Sequence, residues 1–276
     1  MKVELSGLSA RHPAARSGTA PALRGIDLAI APGERVAVIG PSGAGKTTLM
    51  QVLACALPPS TGVLRVDGQA PWSLARRALQ RLRGRLCLAP QTPPLPPRQR
   101  VVTAVLAARL PAMGFWASVG SLVYPREIPA AFEALERFDL GDKLFERVDR
   151  LSGGERQRVG LARVLLAPAA LWLVDEPLSA LDPTRAEQAL ATLVREAQAR
   201  DVTLVATLHQ VGMALAHFPR IVGLRDGRIV FDLPAAEVTP ERLRWLYAQH
   251  EDELRTPAGQ GDEPPPGPAP VVMHCR

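Results

Sequence analysis

The sequence predicts an α/β fold with a mostly parallel sheet, an N-terminal antiparallel β subdomain and an inserted α-helical subdomain. Three observations carry this expectation. Short apolar, β-branched runs alternate with stretches of helical periodicity. One run, LWLVDE at 171–176, is apolar until it ends in two acids, as a strand buried on both faces does at its ligand-binding edge. A glycine-rich loop, GPSGAGKTT at 40–48, separates an apolar strand from a helical pattern.

The elements follow in order. VEL at 3–5, IDLAI at 26–30 and RVAVIG at 35–40 read as strands, with AlaProGly at 31–33 as a turn. A helical pattern covers 46–56, and VLRVDG at 63–68 is a further strand ending in a turn. The chain changes character at TPPLPP, residues 92–97, and is helical afterwards, with a clear pattern at 127–138. The stretch from about 91 to 158 is therefore read as the inserted helical subdomain. Helices are expected at 153–166, 184–199 and 240–249, and a buried strand at TLVATLH, 203–209. IVGLRDGRIVF at 221–231 reads as a hairpin turning at AspGly. The Pro/Gly-rich residues 251–276 lack periodicity and read as a disordered tail behind a domain spanning 1–250.

With 276 residues, 47% of them hydrophobic and 22% charged, the chain can bury a real core. The net charge of +6 comes almost wholly from arginine; the only lysines are Lys2, Lys46 and Lys143. The arginines are scattered rather than striped, so no nucleic acid is expected as a partner. Cys55, Cys87 and Cys275 have neither metal-site nor CxxC spacing and read as reduced thiols. No signal core or membrane span is evident, so a membrane would be met through a partner. The run nearest to a membrane span, the uncharged 110–125, is broken by proline and glycine; Phe115, Trp116, Leu122 and Tyr124 are expected to divide between packing and a docking patch.

GPSGAGKTT fits G-x-x-x-x-G-K-[ST] and predicts a P-loop NTPase core. Gly40, Gly43 and Gly45 let backbone amides approach phosphate, and Pro41, Ser42, Ala44 and Thr48 complete the loop. Lys46 supplies a point charge to the terminal phosphates, and Thr47 a hydroxyl for Mg²⁺. At the end of LWLVDE, Asp175 is the expected Mg²⁺ ligand. Glu176, pointing to the opposite side, is the expected base for an attacking water. LSGGERQR at 151–158 holds a capping box, Ser152 with Glu155, and so begins a helix. Capping does not require Gly153 and Gly154. Two glycines at a helix N-terminus make a second phosphate surface, which serves most simply a nucleotide held by another copy.

LSGGERQR resembles the signature of the ATP-binding cassette (ABC) ATPases. The ordered set GPSGAGKTT, Gln91, LSGGERQR, LWLVDEP, SALD at 179–182 and His209 resembles that family across about residues 1–250. The resemblance implies ATP and Mg²⁺ as cofactors and a head-to-tail dimer closing on two ATP molecules. It makes Gln91 the Mg²⁺ sensor linking core and helical subdomain, and His209 the switch contacting the γ-phosphate. Ser152, Gly153 and Gly154 would cap the partner copy's ATP, with Asp182 on the loop crossing the dimer interface. The family stacks adenine on an aromatic near the N-terminus; here His12 holds that place.

One cassette per chain, with no span, resembles importer ATPases served by separate membrane permease subunits and, indirectly, a solute-binding protein. Such a protein would sit on the cytoplasmic face of the cell membrane. Residues 209–247 and the insert at 116–127 resemble phosphonate-type importer ATPases, with departures at Gly212 and in TPPLPP. The alternatives are an importer ATPase for phosphate, a metal or an amino acid, or a non-transport ABC protein working on ribosome or DNA.

Overall fold

The computed structural model describes residues 1–12, 20–114, 118–120 and 127–248. The expectations for Phe115, Trp116, Leu122, Tyr124, Cys275 and the 251–276 tail lie outside the described residues.

Two sheets form the frame. Strands β1 (Val3–Ala10), β2 (Leu23–Ile30) and β4 (Thr61–Val66) make an antiparallel sheet in the order β2–β1–β4. The larger sheet contains β3 (Arg35–Ile39), β5 (Leu86–Ala89), β6 (Leu171–Asp175), β7 (Thr203–Thr207), β8 (Arg220–Arg225) and β9 (Arg228–Pro234). Its order is β5–β6–β7–β3–β8–β9, parallel except for β9. The β8–β9 hairpin turns at Asp226 (φ 49°) and Gly227 (φ 74°), the two consecutive positive φ values that an AspGly turn supplies.

Side-chain alternation along these strands divides the core. In β3, Val36 and Val38 face one apolar cluster while Ala37 and Ile39 face the other. The first cluster joins the antiparallel sheet to α1 (Lys46–Leu53). The second joins the opposite face to α3 (Val101–Leu106), α4 (Ile128–Glu136), α5 (Gly153–Leu166) and α6 (Pro183–Ala199). A strand covered on both faces must be apolar throughout, which is why β6 and β7 read as continuous hydrophobic runs.

Some boundaries differ from expectation. The first helix stops at Leu53 rather than 56, because the chain turns through a left-handed Cys55 (φ 54°). The last, α8 (Pro240–Leu246), ends short of 249. Three elements carried no sequence signal of their own: β5, α2 (Arg76–Arg83) and α7 (Val211–His217). Burial pushes the Cys55 and Cys87 thiols up to about 11, against the opposing charges of Arg83 and Arg163, so neither is a nucleophile at neutral pH.

Candidate nucleotide site

Strands β5, β6, β7 and β3 lie side by side and end on one edge. The segments leaving that edge carry Gln91, Glu176, His209 and the phosphate loop. Residues up to 169 positions apart therefore meet because four parallel strands share an end. They border one open cleft of about 480 Å³, with the loop on one side and His12, Gln91, Glu176 and His209 around it.

The loop's shape is fixed by its glycines. Gly40 (φ 153°) has no room for a side chain, since a Cβ would stand 1.9 Å from the Leu224 carbonyl oxygen. Gly43 (φ 79°) faces open space, which leaves its backbone accessible to a bound group. Pro41 and Ala44 are buried and close a turn, the Ala44 amide donating to the Pro41 carbonyl at 3.1 Å. Gly45 caps α1, whose N-terminus opens into the cleft. Lys46 is buried, and its Nζ donates to the carbonyls of Gly40 (2.7 Å) and Pro41 (3.2 Å). Thr47 is exposed on the cleft side, whereas Thr48 is buried beneath.

Glu176 is the hub. Its Oε2 accepts from Gln91 Nε2 at 2.8 Å, and its Oε1 lies 2.5 Å from His209 Nε2. Burial pushes its carboxyl up, but the hydrogen bond and charge of His209, with the charge of Lys46, outweigh it and hold the group below the usual carboxylate range. Asp175, as expected for the preceding residue, faces away. It is buried and borders a separate, mostly apolar cavity of about 210 Å³ between β5, β6 and α5. Its Oδ1 accepts from Thr207 Oγ1 at 2.6 Å.

The glycine-rich segment lies elsewhere. Ser152 caps α5 through the reciprocal bonds of a capping box: Glu155 N–H to Ser152 Oγ at 3.2 Å and Ser152 N–H to Glu155 Oε2 at 2.7 Å. Gly153 is exposed. Gly154 is wedged against the SALD loop, where a Cβ would stand 2.9 Å from the Ala180 carbonyl oxygen. Asp182, at the end of that loop, caps α6 by accepting from the Arg185 N–H at 3.0 Å. None of Ser152, Gly153, Gly154 or Asp182 borders this chain's own cleft. Two residues of the site carried no signal in the sequence: Thr207, and Gln157, whose buried Nε2 donates to the Glu176 carbonyl at 3.4 Å.

The family described as ABC transporter matches residues 23–179, more than half of the chain. The chain belongs to the ABC transporter family. It is 66% identical over 277 residues, covering both chains fully, to the phosphonates import ATP-binding protein PhnC 2 of Albidiferax ferrireducens. It is 64% identical, again over the full length of both, to the PhnC protein of a Polaromonas species. Among solved structures, a dimeric post-hydrolysis ATP-binding cassette bound to ADP and Pi aligns with TM-score 0.71 and 25% identity, covering 84% of this chain and 98% of that one. This ABC protein is thus an ATPase whose hydrolysis is coupled to transport. No helix of the described residues is long and apolar enough to cross a membrane.

Proposed function

We propose that this chain hydrolyses ATP to drive uptake of phosphonate or a related phosphorus compound, as a dimer held peripherally on membrane permease subunits at the cytoplasmic face. The meeting of Gln91 and His209 on Glu176, opposite the phosphate loop, supports the chemistry; full-length likeness to phosphonate import ATP-binding proteins supports the cargo.

Glu176 acts as the general base. Each of its oxygens accepts one donor and keeps a second lone pair for a water proton, and an entering γ-phosphate that recruits Gln91 or His209 frees that oxygen further. The loop amides and Lys46 hold the phosphates, and His12, which borders the same cleft, offers its ring to the adenine. Thr47 offers the cleft a hard hydroxyl oxygen that suits Mg²⁺, whereas Asp175, buried and turned toward the neighbouring cavity, would hold the ion only through water; Mg²⁺ usually takes few protein ligands and completes its shell with phosphate and water. Mg²⁺ there would neutralise charge on the β- and γ-phosphates.

Ser152, Gly153 and Gly154 present the N-terminus of a 14-residue helix away from their own cleft, a geometry suited to the ATP of a second copy. Gly154→Val forces the SALD loop aside. It should lower turnover several-fold while monomeric ATP binding, measured by titration, stays unchanged. Unchanged turnover would remove Gly154 from the closing surface.

The cargo is tested by capture from membranes. The Glu176→Gln chain, trapped with ATP, should bring down a permease and a solute-binding protein that binds phosphonates. A permease paired with a binding protein for amino acids or metals would reassign the cargo. Recovery of ribosomes or DNA would overturn transport.

A further inference from the structure

We infer that Thr207 is a positioning residue for ATP hydrolysis, its hydroxyl setting the direction of the Asp175 and Glu176 carboxylates together. This rests on the reading of Glu176 as the base.

Thr207 closes β7 and is completely buried. Its register partner across the sheet is Asp175, the last residue of β6. A buried hydroxyl needs partners, and this one has two. It donates to Asp175 Oδ1 at 2.6 Å, and it accepts from the Glu176 backbone N–H at 2.9 Å. The Glu176 amide can only donate, so the hydroxyl accepts there and spends its one proton on the Asp175 oxygen. One side chain therefore fixes the side chain of one acid and the backbone of the next.

That grip matters because Glu176 has left-handed backbone, φ 47°. A non-glycine residue stays there only when its surroundings over-determine it. Four contacts do so. Thr207 holds the N–H, Gln157 of α5 approaches the carbonyl at 3.4 Å, and Gln91 and His209 hold the carboxylate oxygens. Nucleotide would draw on the last two. The backbone grips, of which Thr207 supplies the shorter, are what keep the carboxylate aimed while its side-chain partners change.

The test uses the full chain. Thr207→Val keeps the β-branched shape and removes the hydroxyl, so kcat should fall about tenfold with KM for ATP within about twofold. Thr207→Ser restores the hydroxyl without the methyl and should recover most of the turnover. In crystal structures, Glu176 should leave the left-handed region in the valine variant and keep it in the serine variant. Should valine prevent folding, Thr207→Cys, a weak donor of similar size, should show the same loss of kcat. Equal losses in Thr207→Val and Thr207→Ser would assign the effect to packing and overturn the inference. So would wild-type kcat in Thr207→Val, or in Thr207→Cys where that variant stands in. Glu176→Gln, assayed in parallel, separates the two claims. If it is inactive while Thr207→Val is not, only the positioning role fails; if it is active, the base reading fails.

Discussion

Glu176→Gln should bind ATP as tightly as the native chain and hydrolyse it at least about a hundredfold more slowly. The substitution keeps size and shape. Its amide can still accept from Gln91 or His209 on one side but has no basic oxygen left for a water proton. The phosphate loop keeps its own bracing bonds, from Lys46 to the Gly40 and Pro41 carbonyls. The pH dependence follows from the same site. His209 and Lys46 hold the Glu176 carboxyl low despite its burial, so the native base stays ionised throughout the neutral range. Turnover limited by Glu176 should therefore be flat there and fail only as pH falls through a value below the usual carboxylate range. Equilibrium titration with ATP and a single-turnover hydrolysis assay check both statements. Hydrolysis by the glutamine variant within a few-fold of native would remove Glu176 from the base role.

The parts of this site that could be read in the sequence share a property: each is dictated locally. A tight phosphate wrap needs glycines within a few residues, so GPSGAGKTT is legible by itself. The start of α5 was legible for the same reason, because Ser152 and Glu155 satisfy each other across three residues. Buried β6 and β7 announced themselves by continuous apolar sequence. Gln91 and His209 were different. Neither has a local reason to be there, and only resemblance singled them out; the sheet order that brings both to Glu176 is a property of the whole fold.

Thr207 and Gln157 were illegible for a stronger reason. A threonine in an apolar strand is ordinary β-propensity, and a glutamine inside a helix is ordinary surface composition. Their meaning appears only when β7 pairs with β6 and α5 packs beneath it. The left-handed turn at Glu176 was equally hidden, since glutamate carries no preference for positive φ. Among the elements, β5 was missed because its four residues are all only half-buried and follow the arginine-rich α2, which masks any alternation.

Lys46→Ala should weaken ATP binding about ten- to a hundredfold, the range expected for losing one charge-assisted contact to phosphate. The native lysine is buried and bonded to two carbonyls of its own loop, so it has two separable jobs. It braces the loop around Gly40, and it supplies charge to the terminal phosphates. Alanine removes both. The jobs can be told apart by ligand. A contact with the terminal phosphates is used by ATP and hardly at all by AMP, whereas a collapsed loop would harm both. The expected result is a large loss for ATP and little change for AMP, with the folded chain retained in both titrations. Equal losses would make Lys46 a brace and leave phosphate recognition to the loop amides and the α1 N-terminus. Unchanged ATP affinity would reject both roles, because the Gly40 and Pro41 carbonyls would then have lost their partner at no cost to the loop.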